Sequence, residues 1–525
     1  MRDTKDKERC ISIRPIGERQ VNSVAKDINA NGRIDQSETS LAYYKNFVAF
    51  GYNDASNTPN ATGFSYSNDG GNTWVDTSGV PSIANNANRG DPVLSVDSKG
   101  IFYFAHLGAP LGTNNLFIQL SVGEINKSTA AINFGTPIRI SDPAAINDDK
   151  PWVTVGPDFN RPKNESVYVV WTNLTTNRLR FSKLSVGPNP QVLIAPIDIT
   201  TTGSPLGANV TVDQNGVIYV IYLDRTAAGV PGRAIRMVRS TDGGFTFTNP
   251  ILVSNVTIAG TAVVSDGRFN RDVIQVTTAK NIRILEFPSV SIGPDGVIYV
   301  VWTDGRNQPT TGDDIYLAYS SNRGDNWNII QATNNIAHEF FPSVAADCHG
   351  AHIQYARFNS SNGTIGIGDQ TFALFKKTFS LQNGLGPESM VSTVFSRVLS
   401  NNPSTTGFGN LYMGDYNQVI IGPGNTLLHA WGDNRNDPNG NNPDVFFIQT
   451  RSMDPVGNSD PCECDKREKH HDHDRDWREN SNNIRNKFKP VNVFAPEINV
   501  RCKDKEHCHY EHRKRRYRCD YDMDC

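Results

Sequence analysis

The sequence predicts an all-β chain folded as a β-propeller of four-stranded blades, and three observations predict it. The first is a unit that recurs seven times, a hydrophobic strand, a Gly-containing turn and a second strand ending near a polar or acidic residue. It is clearest in "FPSVSIGPDGVIYVVWTDGR" (Phe287 to Arg306) and "GANVTVDQNGVIYVIYLDR" (Gly207 to Arg225), with further copies beginning near Glu38, Asp91, Asp149, Glu339 and Asp415. The second is the spacing of these starts, roughly 53 to 79 residues, which suits four strands with variable loops. The third is composition: 37% hydrophobic residues concentrated in Val-, Ile-, Tyr- and Trp-rich runs between Gly and Asn turns. Seven units favour seven blades, with a six-bladed ring as the alternative.

The elements follow in order. Residues 1–26 contain "CISIRPIGERQV" (Cys10 to Val21), a strand with no blade of its own. Residues 27–38 form a loop of oxygen-bearing side chains. Residues 38–454 carry the seven units, each continuing into a third strand such as "DDIYLAYSS" or "RAIRMVRS" and usually a fourth such as "TPIRISDP". The seventh unit lacks an outer strand after "DVFFIQTRS", so the N-terminal strand is predicted to complete it and remove the exposed edge. Residues 455–525 form a low-complexity tail rich in Cys, His and charge, with too little apolar content for a core of its own, and are predicted to be disordered or cross-linked.

A net charge of −3 gives no field that would gather nucleic acid, and no apolar run is long enough to span a bilayer. No secretory signal is legible at the N-terminus. Six of the eight cysteines, Cys462, Cys464, Cys502, Cys508, Cys519 and Cys525, lie in the tail, so the propeller is not expected to depend on disulfides. With His470, His471, His473, His507, His509 and His512 they are suited to a transition metal, or to self-association by cross-linking. Spacing does not choose between the two.

Three turns after third strands share a pattern. They are Ser67-Asn68-Asp69-Gly70-Gly71-Asn72-Thr73-Trp74, Ser240-Thr241-Asp242-Gly243-Gly244-Phe245-Thr246-Phe247 and the variant Ser320-Ser321-Asn322-Arg323-Gly324-Asp325-Asn326-Trp327. Asp69, Asp242 and Asn322 can accept backbone N–H groups across the turn, Gly takes the left-handed dihedral, and Trp74, Phe247 and Trp327 pack between blades. The pattern resembles the Asp-box, or bacterial neuraminidase repeat, of sialidase-like propellers, and the resemblance implies fold more than chemistry, since the family's Asp-boxes lie on the outer rim. Enzymes of that family use three arginines, a Tyr–Glu nucleophile and an Asp acid. Here an acid, Glu38, opens the first unit, and the nearest imitations of the first arginine, Arg14-Pro15 and Arg283-Ile284-Leu285, fall in an outer strand and a linker. The resemblance is therefore to a member without sialidase activity.

The innermost strands instead begin with acids. Glu38, Asp91, Asp149, Glu286, Glu339 and Asp415 stand near one point of their units and are expected to face one mouth of the central channel as a ligand-binding set. Arg89 and Lys150 are placed to neutralise them, and separate carboxylates capping turns are the alternative. Were the chain an enzyme, a glycosidase of sialidase type, Asp91, Asp149, Tyr416 and Arg89 would carry it. The second sharp motif runs from Asp27 to Glu38 and fits a twelve-residue calcium loop, with ligands at Asp27, Asn29, Asn31, Arg33 (through its carbonyl), Asp35 and Glu38 and Gly32 at the sharp turn. The expectation is a calcium-stabilised propeller that binds a glycan or protein at its channel face and is anchored by its tail. A bacterial cell or spore surface would suit such a protein; a glycoside hydrolase is the alternative.

Overall fold

The computed structural model describes residues 15–27, 35–57, 59–144, 146–225, 233–265, 270–277, 280–359, 370–398, 413–436 and 443–452, and two short strands in the tail. Contacts divide the chain into residues 1–465 and 466–525. In the second unit, Cys508–Glu511 pairs antiparallel with Arg516–Cys519.

In the first unit of contacts, each of the seven sequence repeats forms one antiparallel sheet. The first strands are Gln36–Tyr44, Val93–Val96, Asp148–Asp158, Pro205–Val212, Ser289–Ile292, Glu339–Asp347 and Gln418–Gly422. Each pairs with the strand after it in sequence, and that strand pairs with a third. Among the described residues an eighth, three-stranded sheet, Ala262–Ser265, Asn270–Thr277 and Lys280–Arg283, is inserted between the fourth and fifth repeats. None of the described helices is long and apolar enough to cross a membrane.

The first strands are innermost. All seven line a central cavity of about 310 Å³. Short hydroxyl side chains on these strands reach sideways to the neighbouring strand's backbone: Ser40 Oγ accepts from Leu94 N (2.9 Å), Ser95 from Val155 N (3.0 Å), Ser289 from Val344 N (3.2 Å) and Ser343 from Val419 N (3.1 Å). Gln418 Oε1 makes the same tie from the last repeat to Leu41 N of the first. A buried N–H left without a partner costs about 1–3 kcal/mol, so these hydroxyls satisfy donors that two sheets splayed by twist cannot satisfy between themselves.

The middle strands are apolar on both faces because each sheet is sandwiched by its neighbours. Ile218–Asp224 and Ile298–Asp304 are buried throughout; Tyr219, Ile221 and Leu223 share one core cluster with Ile298, Val300 and Trp302, and the alternate side chains pack into the clusters on the other faces. At the N-terminus, Arg19–Gln20 pairs with Asp444–Arg451, the third strand of the seventh sheet, and Val21 N and Asn22 Oδ1 continue the ladder at Val445. Glu18 is clasped by Thr393 (2.7 and 2.9 Å) and by Arg435.

The three patterned turns have the geometry their residues require. Asp69 Oδ1 accepts from Thr73 N (2.9 Å), Asp242 Oδ1 from Thr246 N (3.0 Å) and Asn322 Oδ1 from Asn326 N (3.0 Å). Gly71 and Gly244 adopt φ of +107° and +100°. Trp74 lies edge-on to Phe447 of the seventh sheet (5.1 Å), Phe247 edge-on to Phe181 of the third (5.1 Å), and Trp327 packs on the cluster shared by the fourth and fifth. Since strand direction alternates, these turns and the first hairpin of each repeat lie at one end of the strands. The starts of the innermost strands lie at the other.

Candidate functional site at the channel mouth

At that other end the innermost strands are bulged. The pairing slips between Ser37 and Ser40, Asp149 and Trp152, Leu206 and Asn209, and Phe340 and Ser343. One residue at each slip is left-handed: Glu38 (φ 52°), Lys150 (51°), Gly207 (61°) and Phe341 (51°), joined by Asp91 (52°). For residues with a Cβ this conformation costs roughly 1–3 kcal/mol, and bulges re-aim side chains beside functional sites. The consequence is a change of register: Lys150, not Asp149, occupies the position held by Glu38 and Asp91 in their repeats.

Lys150 Nζ reaches three carboxylates, Glu38 Oε1 at 2.7 Å, Asp415 Oδ2 at 2.8 Å and Asp91 Oδ1 at 3.3 Å, all buried. Asn53 braces the group, donating to Glu38 Oε2 (3.0 Å) and accepting from Asp91 N (2.8 Å). Arg283 Nη2 adds a second cation 3.2 Å from Asp415. Burial pushes the Glu38 carboxyl up to about 8, although Lys150 pulls it back, and burial raises Asp91 to about 6. Asp415 stays below the ordinary carboxylate range because Arg283 and Lys150 outweigh its burial. Glu38 is thus the member that carries a proton near neutrality, and it hydrogen-bonds Asp91.

The other acids of the sequence set are placed apart from Lys150 Nζ. Asp149 Oδ1 accepts from the Lys150 backbone N–H (3.0 Å). Glu286 pairs with Arg233 and accepts from Ala259 N (2.8 Å). Glu339 accepts from Asn335 (3.0 Å) and Thr333 (3.2 Å). Arg89 donates to Thr113 O (3.1 Å), and Tyr416 donates its hydroxyl to Pro92 O (3.1 Å). Neither bond is to a carboxylate.

Sequence reasoning missed the arginines. Arg283, read as part of a linker, is brought to Asp415 by the inserted sheet. Arg225 feels Arg233 and Arg271 as neighbouring charges, and its pKa is lowered by burial and by them. Arg233 is tied to Asp272 and Glu286, and Arg225 to Ser204 Oγ (3.1 Å). No repeat copy predicts these residues, because two of the four come from an insertion outside the repeat. Beside the Lys150 group lies a small hollow of about 30 Å³, lined by Trp152, Phe287, Phe341 and Tyr416 together with Lys150, Asp415 and Asn417. Trp152 and Tyr416 meet edge to face at 6.0 Å.

Of the calcium-loop residues, Asn29, Asn31 and Arg33 lie outside the described residues. Asp27 accepts from Asn22 (3.1 Å) and Gln36 (3.0 Å), and burial together with Asp54, Asp444 and Asp76 raises it to about 7. That crowding of acids fits a cation. Glu38 does not fit the twelfth position as simply, since both its oxygens are committed to Lys150 and Asn53. The tail's candidate metal ligands and cross-linking cysteines have no described side chains.

No family model matches the chain, and no curated protein matches it. Solved structures similar to it include the phage phi92 endosialidase (10% identity, TM-score 0.43, 97% of this chain and 79% of that one). Others are a Penicillium chrysogenum alpha-L-arabinanase complexed with arabinobiose (13%, 0.42, 84% and 99%) and a Dyadobacter fermentans protein of unknown function (12%, 0.41, 71% and 97%). At such identities and TM-scores these likenesses carry no functional argument, and what the chain does must be read from its own mouth.

Proposed function

We propose that this chain is a carbohydrate-binding propeller, its seven sheets forming a ring completed by the N-terminal strand, with an uncharged, hydroxyl-rich glycan held in the hollow over the channel. The observation that carries the reading is the hollow itself, a shallow recess of about 30 Å³ where Trp152, Phe287, Phe341 and Tyr416 meet Lys150, Asp415 and Asn417. It has room for a hydroxymethyl group or a ring edge rather than a whole sugar, so the glycan would lie across the mouth and seat one group there, and aromatic side chains suit the C–H faces of a sugar ring.

Ion pairing at the mouth bears on the ligand class. Lys150 sits among Glu38, Asp91 and Asp415, Arg233 pairs with Asp272 and Glu286, and Arg283 lies beside Asp415. Cations already tied to carboxylates favour hydroxyl groups over a carboxylate sugar.

A hydrolase is the second reading, favoured by one observation: acids with raised pKa, Glu38 and Asp91, at the mouth of a channel. Against it, Glu38 is fully buried and fastened to Lys150, and the Tyr416 hydroxyl donates to the Pro92 carbonyl. We further propose calcium at the loop from Asp27, supported by the crowding of Asp54, Asp76 and Asp444, and attachment to a surface or assembly through the tail, supported by its sequence. A glycan array probed with the full chain, alongside a panel of fluorogenic glycosides, tests the main reading. Saturable binding of neutral glycans without turnover is expected; turnover, or binding restricted to sialosides, would overturn it.

A further inference from the structure

The hairpin joining the first two strands of a repeat is built the same way in the second and fourth sheets. Asp97 Oδ1 accepts from Lys99 N (2.9 Å) and its Oδ2 from the Tyr103 hydroxyl (3.2 Å); Asp213 Oδ1 accepts from Asn215 N (2.9 Å) and its Oδ2 from the Tyr219 hydroxyl (3.1 Å). The sixth repeat keeps the turn, with His349 N donating to Asp347 Oδ1 (2.7 Å), and replaces everything else. The turn residues are Cys348 and His349, and in place of a tyrosine hydroxyl two imidazoles face the carboxylate. His349 Nδ1 is 3.3 Å from Asp347 Oδ2, and His352 Nε2 is 2.9 Å from Asp347 Oδ1.

His352 is 1% exposed, and its Nε2 lies 2.9 Å from Asp347 Oδ1, within ion-pair range but without hydrogen-bond alignment. Its other nitrogen is fixed by Thr378 Oγ1 at 3.1 Å. A buried imidazole held from behind by a hydroxyl, with its front nitrogen beside a carboxylate, is placed to act as outer support once that carboxylate takes a cation. The three neighbouring residues complete the picture: ligand atoms of Asp347, Cys348 and His349 all lie within 4.8 Å of one another, with Cys348 Sγ 3.7 Å from His349 Nδ1. Tetrahedral zinc with bonds of about 2.0–2.3 Å separates its ligands by about 3.3–3.7 Å. Two of the observed separations, 3.3 and 3.7 Å, fall in that range.

Cys348 is disulfide-bonded, and a disulfide sulfur is a poor ligand beside a thiolate. We propose that Asp347, Cys348 and His349, backed by His352, form a site for a borderline divalent cation such as Zn²⁺ that is closed while the Cys348 disulfide is intact and opens when it is reduced. Reduction takes two electrons and two protons to give two thiols, supplied by a thiol reductant that is itself oxidised to a disulfide. On binding, the Cys348 thiol yields its proton to solvent and its thiolate joins the cation. The site lies at the strand ends opposite the glycan hollow, so metal and glycan occupy separate places.

The test uses the full chain, whose tail carries Cys and His of its own, and therefore reads differences. Oxidised protein, protein reduced with a phosphine and desalted, and reduced Cys348→Ser and His349→Ala are titrated with Co²⁺ and then Zn²⁺. Wild type should gain about one equivalent on reduction, with sulfur-to-cobalt charge transfer that Zn²⁺ displaces, beyond anything the two variants bind. Thr378→Val should keep the equivalent with affinity about tenfold weaker. His349 lies at a half-buried turn, so its variant is expected to fold, checked by circular dichroism. Equal stoichiometry and spectra in reduced wild type and Cys348→Ser, or in oxidised and reduced wild type, would overturn the proposal.

Discussion

Replacing Lys150 by Met keeps the length of the side chain and removes one charge from among three carboxylates. At separations of 2.7, 2.8 and 3.3 Å, each attraction is gross about 5–6 kcal/mol at an effective dielectric of 20, offset by several kcal/mol of desolvation for each ion. Removing one partner of such a buried group leaves the rest uncompensated, at a net cost of roughly 3–5 kcal/mol. Two features temper this. Glu38 already carries its proton, and Arg283 still faces Asp415. The loss should therefore sit at the lower end, about 3 kcal/mol, and fall mainly on Asp91. Urea unfolding at pH 7 and pH 5 is the assay. Without the ammonium the folded-state pKa of Asp91 rises further, so the variant gains stability relative to wild type as the pH falls, and the gap narrows at pH 5. A loss under 1 kcal/mol that is the same at both pH values would refute the argument that Lys150 neutralises the mouth.

Glu38→Gln tests the proton directly: the folded value of about 8 lies above the ordinary 4.5, so the stability tied to that proton is full below 4.5 and is lost as the pH rises toward 8. With chelator present, wild type should lose stability relative to Glu38→Gln across that window, by at most about 1.4 kcal/mol per pH unit, and parallel curves would contradict the assignment. Gly71→Ala places a Cβ 2.3 Å from the Phe447 ring at φ +107°, and should destabilise the contact between the first and seventh sheets by about 2 kcal/mol or more in thermal or urea unfolding. Chelator should lower the melting temperature of wild type and leave Asp27→Asn little affected; equal shifts would remove calcium from the Asp27 loop.

The sheets were legible because the repeat writes each one locally: a first strand, a Gly turn and a buried middle strand are all contiguous in sequence. The patterned turns were legible for the same reason, since Asp69 and Thr73 are only four residues apart. The mouth was legible only by half. Aligning acids one above another placed Asp149 with Glu38 and Asp91, but the left-handed residue at the slip of the third repeat, the counterpart of Glu38 in the first, is Lys150. Nothing in the spacing announces a bulge, since its cost is met by contacts distant in sequence. The arginines escaped because Arg271 and Arg283 come from an inserted sheet with no copy to compare, and Arg283 meets Asp415 across more than a hundred residues. Cys348 escaped because its partners, Asp347, His349 and His352, read as an ordinary turn until their side chains are placed.

The most direct test of the account is a calorimetric titration of the best array glycan into wild type, Trp152→Ala and Phe245→Ala. Trp152 lines the hollow, whereas Phe245 is an exposed aromatic on a patterned turn at the other end of the strands. The account predicts at least tenfold weaker binding for Trp152→Ala and unchanged binding for Phe245→Ala. Affinity lost in Phe245→Ala and kept in Trp152→Ala would move the glycan off the channel mouth and contradict it.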